Sequence, residues 1–180
     1  PTKNLGCLGD GGAITIKNQE QFLYINSLRN YGCKEKYYCD IPGYNSRLDE
    51  IQAGFLSAKL KKLDLINAHK IGLAEIYFNL LPDELILPTR QPNVTDVFHL
   101  LCIRHPKRDS LNDYLLANGV QTAIHYPVPP HRQFWLNDCI SGEYPITDEI
   151  HNSILSLPLS YAHTESDVFY ICKKINDFFN

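Results

Sequence analysis

The sequence predicts an α/β protein, and three observations support this. A run rich in β-branched residues at 13–16, preceded by glycines, and an apolar run at 97–103 are typical of buried strands. Between them, apolar residues recur at helical spacing from about Leu48 to Leu80. From residue 82 onward, segments typical of strands and of helices alternate, which favours a small α/β sandwich domain.

The helices of the first half follow from capping residues and apolar spacing. Asn18 is suited to cap a helix over about 19–30. The long apolar stripe that follows exceeds an ordinary globular helix, so we expect it to kink near Gly72 or to bridge two domains. Pro82 ends it, because the residue before a proline disfavours helical geometry.

The remaining predicted segments are shorter, and glycine and proline residues indicate where they begin and end. Gly32, Pro42 and Gly43 indicate a loop over 31–46. The other predicted elements are strands near 85–87 and at 120–124, a helix from Asp109 or Ser110 to Gly119, a loop over 127–145, and helices at about 147–156 and 165–179.

Composition narrows the classes of function. The 180 residues are 44% hydrophobic and 21% charged, as in an ordinary soluble globular protein. A net charge of −3 gives no reason to expect nucleic acid or an anionic membrane as a partner. No apolar run is long enough to span a bilayer, and no signal peptide is recognisable at the start.

The cysteines indicate a reducing environment. All six lack CxxC spacing, so we predict neither a zinc site nor a disulfide framework, but reduced thiols in a cytoplasmic protein. Cys7 and Cys33 lie in loops that contain glycine and could be reactive. The competing interpretation, a small buried apolar side chain, is the commoner one for a free cysteine.

Lys3 is the residue whose surroundings most suggest chemistry. It precedes a glycine-rich turn and the strand-like run at 13–16. Such a lysine can form a Schiff base if it is held accurately and partly desolvated, and the glycines allow close approach of a flat cofactor. On these residues alone, a solvated surface lysine is the more frequent alternative.

Several motifs together indicate a family. In chain order they are PTKNLGCLGDGGAITI, SLRNYG, GYNSRLDEIQAGFLSAKLKKLD, VFHLLCIR, VQTAIHYPVPPHRQ and ILSLPLS. The set resembles the C-terminal half of the DegT/DnrJ/EryC1/StrS sugar aminotransferases, which are pyridoxal-phosphate enzymes of the aspartate-aminotransferase fold (fold type I). The strings KEKY, GYNSRLDE and HYPVPPHRQ further resemble members that aminate dTDP-linked 3-keto-6-deoxyhexoses.

The resemblance implies roles for two residues toward the cofactor. Lys3 matches the lysine that forms the Schiff base with pyridoxal 5′-phosphate and serves as acid and base in the proton shift. Asn45 matches an asparagine that reaches across a dimer interface to the cofactor phosphate. From the residues alone, Asn45 could equally be a turn residue or a cap before Leu48.

Arg47 has two interpretations that the sequence leaves open. It could pair with Asp49 or Glu50 near the start of the long helix. It could instead contact a substrate carboxylate or the partner subunit.

The resemblance also implies a sugar site. His125 and Tyr126, between a predicted strand and a proline-rich loop, match a pair that contacts the nucleotide sugar. His131 is a weaker candidate in the same loop. His99 is expected to be structural because it lies on a predicted strand.

The resemblance implies the following organisation and activity. Residues 1–60 are the tail of a large cofactor-binding domain and 61–180 a small C-terminal α/β domain. The enzyme is a homodimer that transfers an amino group from an amino acid, glutamate in most of the family, to a nucleotide-linked keto-deoxysugar.

The family's N-terminal half has no counterpart in this sequence. That half carries the acidic residue facing the pyridine nitrogen, the aromatic that stacks on the ring, and a phosphate-binding serine. We therefore expect these 180 residues alone to be inactive. The alternatives are a split-gene subunit or non-catalytic fragment that binds a partner or a sugar nucleotide, and a dimerisation module built on the long helix.

Overall fold

The computed structural model describes residues 1–136 and 138–180. Contacts divide the chain into two compact units, Pro1–Leu63 and Asp64–Asn180. We refer to them as unit 1 and unit 2. Across the described residues, no helix is both long and apolar enough to cross a membrane.

Unit 1 consists of helices and a small hairpin. Its elements are α1 (Gln19–Leu28), β1 (Cys33–Glu35), β2 (Tyr38–Cys39) and α2 (Glu50–Leu60). Asn18 caps α1 as predicted, since its side-chain oxygen accepts a hydrogen bond from the backbone N–H of Gln21 at 3.0 Å. β1 and β2 pair in antiparallel fashion.

Three predictions for unit 1 were wrong. Residues 13–16 form no strand, because no neighbouring strand pairs with them in this chain. The predicted loop over 31–46 contains the β1–β2 hairpin. That hairpin brings Cys33 opposite Cys39, and the two form a disulfide bond, whereas we predicted that both thiols were reduced.

The predicted long helix is two helices. α2 ends at Leu60 and α3 (Leu63–Leu80) follows. Between them, the backbone N–H of Lys62 bonds to the carbonyl of Lys59 at 2.9 Å, so the hydrogen-bond ladder tightens from four residues to three. The break therefore lies at Lys61–Lys62 and not at Gly72.

Unit 2 is built on a short antiparallel sheet covered by helices. After α3 its elements are β3 (Leu101–Arg104), α4 (Arg108–Ala117), two 3₁₀ turns (Pro130–Arg132 and Phe134–Leu136), α5 (Pro145–Ser153), β4 (Ile154–Leu157) and α6 (Glu165–Phe179). β3 pairs with β4 from Leu101 opposite Leu157 to Arg104 opposite Ile154. Single bridges at Ile86 and Ala123 flank this pair.

Some of the elements predicted for unit 2 are confirmed, and others are shorter than predicted. The helix at 165–179 is confirmed as α6, and the strand at 97–103 is confirmed in part by β3. The strands predicted near 85–87 and at 120–124 shrink to one bridge each. The helix predicted at 147–156 ends at Ser153, because the apolar residues that follow pair with β3 as β4.

The hydrophobic core lies entirely in unit 2 among the described residues. It contains Leu73, Ala74, Tyr77, Leu81, Leu85, Phe98, Leu101, Ile103, Leu111, Leu115, Val120, Leu155, Leu157, Leu159, Val168, Ile171, Cys172 and Ile175. Tyr77 is completely buried, yet its hydroxyl donates to the Pro158 carbonyl at 2.8 Å, which satisfies the one polar group on that ring. Burial raises the pKa of Tyr77 and raises that of the Cys172 thiol to about 12.

Candidate functional site

The loop that carries Lys3 is held by two side chains of α2. Gln52 accepts a hydrogen bond from the backbone N–H of Gly9 at 3.1 Å, and Lys59 donates to the Gly6 carbonyl at 2.6 Å. Gly6 packs so closely on Pro1 that an added Cβ would lie 2.1 Å from the Pro1 oxygen. The backbone around Lys3 is thus fixed, while the Lys3 side chain itself is exposed.

Asn45 lies beside a depression in unit 1. The depression has a volume of about 860 Å³. It is lined by the glycine-rich segment at 10–14, by α1 and by the segment 45–48, including Arg29 and Arg47. Two guanidinium groups against the single carboxylate of Asp10 make this lining suited to an anion. Lys3 is not among the lining residues.

Arg47 is engaged by three neighbours. Its Nε donates to Asn45 Oδ1 at 3.1 Å, and its two terminal nitrogens donate to Asn30 Oδ1 at 3.3 Å and to the Tyr31 hydroxyl at 3.2 Å. The guanidinium carbon also lies 5.1 Å from the centre of the Tyr31 ring, a cation–π distance. Arg47 therefore does not pair with Asp49 or Glu50, one of the two interpretations that the sequence left open. Asp49, not Asn45, occupies the N-cap position of α2.

His125 contributes to a cleft of about 620 Å³ in unit 2. Its Nδ1 lies 2.8 Å from the hydroxyl of Ser156 in β4, and that hydroxyl lies 3.3 Å from the Cys102 thiol in β3. Ala123 forms a bridge with Ser156, and this bridge brings His125, two residues later, beside β4. With Nδ1 fixed by a partner, the ring orientation is set and Nε2 is the nitrogen that can meet a ligand.

Tyr126 is exposed over 64% of its surface, and its ring stacks edge-on against His125 with centres 5.3 Å apart. Its backbone oxygen lies 2.5 Å from Nδ1 of His151 in α5. The backbone is therefore tied to the domain while the ring remains available. His99 lines the same cleft, and its carbonyl accepts a hydrogen bond from Lys70 at 3.3 Å.

His131 belongs to a different cluster. Its Nε2 lies 3.0 Å from Asp148, and Arg132 bonds the same carboxylate through two nitrogens at 2.6 Å. The Arg132 guanidinium, together with His131, lowers the pKa of Asp148 to about 2. His131 thus fastens its loop to α5, and it does not line the cleft beside His125.

The predicted site residues do not all lie together in the structure. His125 and Tyr126 adjoin each other, while His131 occupies its own depression. Sequence reasoning missed Ser156, Tyr31, Gln52 and Lys59, since their importance comes from contacts between distant segments. Within the described ranges, histidine, cysteine and acidic side chains form no group that could hold a metal ion.

Solved structures define the class of protein. DesV from S. venezuelae, solved in complex with a ketimine intermediate, superposes with a TM-score of 0.93 at 35% identity, over 98% of this chain and 49% of DesV. NtdA from Bacillus subtilis, solved with bound cofactor PMP, gives a TM-score of 0.84 at 28% identity, over 96% of this chain and 44% of NtdA. The fold is that of a portion of a PLP-dependent sugar aminotransferase, as predicted.

The chain belongs to the DegT/DnrJ/EryC1/StrS aminotransferase family, whose profile matches residues 1–176. It is 40% identical over 167 residues to dTDP-3-amino-3,6-dideoxy-alpha-D-galactopyranose transaminase of Aneurinibacillus thermoaerophilus, covering 92% of this chain and 46% of that enzyme. It is 39% identical to dTDP-3-amino-3,4,6-trideoxy-alpha-D-glucose transaminase of Streptomyces venezuelae, covering 88% of this chain and 43% of the relative. The predicted family is confirmed, and the chain spans about half the length of the curated relatives it matches.

Proposed function

We propose that this chain supplies the C-terminal half of a pyridoxal-phosphate-dependent enzyme that transfers an amino group from an amino acid, glutamate, to a nucleotide-linked keto-deoxysugar. The observation that carries the proposal is the family match over residues 1–176. We assign the Schiff-base role to Lys3 because its PTKNLG motif resembles the family's lysine motif. The activities for which the two dTDP-sugar relatives are named support a nucleotide-linked sugar as the acceptor.

The residues present fit the cofactor. Lys3 offers a primary amine on a backbone fixed by α2. Asn45 offers amide N–H groups, which are good donors to a phosphate. Pyridoxal phosphate, when bound, supplies an aldehyde and an electron-withdrawing ring that stabilises negative charge on the carbon that loses a proton.

Lys3 has two tasks in this proposal. Its amine would hold the cofactor when the cofactor is bound, and it would act as the acid and base that moves a proton between two carbons of the substrate. Both tasks require the amine to return to the same place. The bonds from Gln52 and Lys59 to the loop backbone support this requirement, because they restrict the backbone that carries Lys3.

The sugar nucleotide is assigned to the face that carries His125 and Tyr126. His125 Nε2 is suited to a hydroxyl or pyrophosphate oxygen, and the exposed Tyr126 ring offers both an apolar face and a hydroxyl. His131 stays the weaker candidate, because Asp148 already engages its Nε2.

The proposal includes the organisation of the complete enzyme. Residues 1–60 are assigned to the tail of the cofactor domain and 61–180 to the small domain. Asn45 reaches the cofactor of a second subunit in a homodimer. The acid partner of the pyridine nitrogen and the wall that stacks on the ring come from residues outside this chain, so the 180 residues alone are inactive.

The test of Lys3 uses the full-length protein. Lys3→Ala removes the amine, so we expect the visible absorption band that pyridoxal phosphate gains on linkage to a lysine to disappear. Lys17→Ala, which removes another exposed lysine of unit 1, should leave the band in place. A band that survives Lys3→Ala would overturn the assignment.

The test of the sugar site uses calorimetric titration with a dTDP-deoxysugar. His125→Ala removes the proposed hydrogen bond from His125 to the nucleotide sugar. We therefore expect the affinity for the sugar nucleotide to weaken about tenfold while cofactor binding stays unchanged. The control is His105→Ala, a histidine of unit 2 that does not line the cleft. Unchanged affinity in the His125 variant would return that residue to a purely structural role.

A further inference from the structure

The side chains of Asn30 and Tyr31 have no role in the proposed function, yet they converge on Arg47. We infer that Asn30 and Tyr31 are positioning residues: they hold the Arg47 guanidinium, which in turn orients the amide of Asn45 so that its N–H groups are presented to the cofactor phosphate. This inference rests on the proposed function, and it names the residues that support the contact between Asn45 and the cofactor phosphate.

The orientation of the Asn45 amide follows from one hydrogen bond. Arg47 Nε donates to Asn45 Oδ1 at 3.1 Å. A side-chain amide has one acceptor oxygen and one NH₂ group with two donors. Because the oxygen is occupied by Arg47, the NH₂ group is the part that remains for a ligand, and a phosphate requires donors.

The position of Arg47 is in turn fixed from the side of Asn30 and Tyr31. The Asn30 side-chain oxygen and the Tyr31 hydroxyl each accept a hydrogen bond from one terminal nitrogen of Arg47. The guanidinium carbon lies 5.1 Å from the centre of the Tyr31 ring. These contacts use both terminal nitrogens and one face of the planar group. A guanidinium held in this manner has little freedom to rotate away from Asn45.

The backbone supports the same geometry. The carbonyl of Tyr44 accepts a bond from the Tyr31 N–H at 2.9 Å, and Asn30 forms a bridge with Asn45. Tyr31 has a φ of +62°, in the left-handed region that tyrosine seldom adopts. A backbone conformation that costs energy persists where the surroundings demand it, and here it directs the Tyr31 side chain to Arg47.

The experiment compares two probes on the full-length protein: pyridoxal 5′-phosphate and pyridoxal, which lacks the phosphate. The measured quantity is the ratio of the two affinities, obtained from absorption titrations. Tyr31→Phe removes one hydroxyl and retains the ring. We expect this ratio to fall about fivefold, the equivalent of one hydrogen bond. Asn30→Ala, which removes the other acceptor for the terminal nitrogens of Arg47, should act in the same direction.

The coupling between residues separates positioning from general stabilisation. In an Asn45→Ala background, where no amide is left to orient, Tyr31→Phe should produce no further loss. Tyr38→Phe, on the exposed strand β2, is the matched control and should leave the ratio unchanged.

The possible outcomes are distinguishable. Equal losses for both probes in Tyr31→Phe, or full additivity with Asn45→Ala, would overturn the inference. If Asn45→Ala leaves the ratio unchanged while Lys3→Ala abolishes the visible band, the phosphate assignment and this inference fail but the Lys3 assignment stands. A full-length protein that shows no band at all would contradict the proposed function itself.

Discussion

Unit 1 and unit 2 differ in what their helices bury. In unit 2, α4 and α6 enclose residues such as Leu111 and Ile175, which are fully buried. In unit 1, α1 and α2 bury no hydrophobic side chain, and Phe22, Ile51 and Phe55 remain exposed. Both pairs of helices have apolar faces, so the difference lies in whether a partner surface is present within this chain.

The comparison indicates where each unit obtains its stability. Unit 2 has its own core and supports its helices by burial. Unit 1 is held by hydrogen bonds, the disulfide and close glycine contacts. The exposed apolar side chains of α1 and α2 predict that these helices pack against further polypeptide in the full-length protein.

The largest expected effect comes from paired substitutions in the two units. Leu111→Ala in α4 removes a side chain with no exposure and should lower the free energy of unfolding by about 2–5 kcal/mol. Ile51→Ala in α2, where the side chain is 71% exposed, should change it by less than about 0.5 kcal/mol. Denaturant unfolding of the chain, with hydrogen exchange read separately for each unit, measures both values.

A comparable loss for Ile51→Ala would show that unit 1 has a core of its own. The comparison is sharpened by repeating Ile51→Ala in the full-length protein. If further polypeptide covers α2 there, the same substitution becomes a core deletion and its cost should rise by more than about 1 kcal/mol.

A smaller effect is expected from the helix caps. In α6, Thr164 and Asp167 form a capping box, and in α1, Asn18 caps the first turn alone. Thr164→Ala should lower the unfolding free energy of unit 2 by about 1 kcal/mol. Asn18→Ala should mainly accelerate hydrogen exchange in α1. Because α1 does not pack into a core, losing its cap should have little effect on global stability. Equal changes in global stability for the two variants would contradict the proposed difference between the units.

The smallest effect concerns acid stability. Asp148 has a pKa of about 2 in the folded protein, below its ordinary value of 3.8, because Arg132 and His131 bond its carboxylate. A lowered pKa stabilises the folded state above the ordinary value, and this contribution is lost as the pH falls from about 4 through 2.

We expect Asp148→Asn to show a shallower decline of unfolding free energy across that range than the unaltered chain. Denaturant unfolding at several pH values between 2 and 6 measures the slope. Asp83→Asn, at an exposed acidic residue of unit 2, serves as the control. An unchanged slope in Asp148→Asn would mean that the carboxylate contributes nothing to acid stability.

The sequence predicted the features that depend on local chemistry. Asn18 caps α1, and α6 spans 165–179, since capping residues and apolar spacing act within a few residues. The family and the fold class also followed from motifs that are contiguous in the chain.

The features that depend on distant partners were missed. β4 was assigned in part to a helix because its apolar residues become a strand only when β3 lies beside them. The segment at 13–16 has strand composition but no neighbour in this chain. The same holds at the candidate site, where Tyr31 and Asn30 meet Arg47 across 16 and 17 residues.

The order in which the chain is made has a consequence for the β3–β4 pair. Cys102 in β3 meets Ser156 in β4 across 54 residues, so β3 must leave the ribosome and wait while α4, the proline-rich loop and α5 are synthesised. Pairing over such a separation carries a loop-closure cost and slows folding. Unit 1, which precedes it and has no core, emerges earlier still. The core of unit 2 therefore completes only once β4 and α6 have been synthesised.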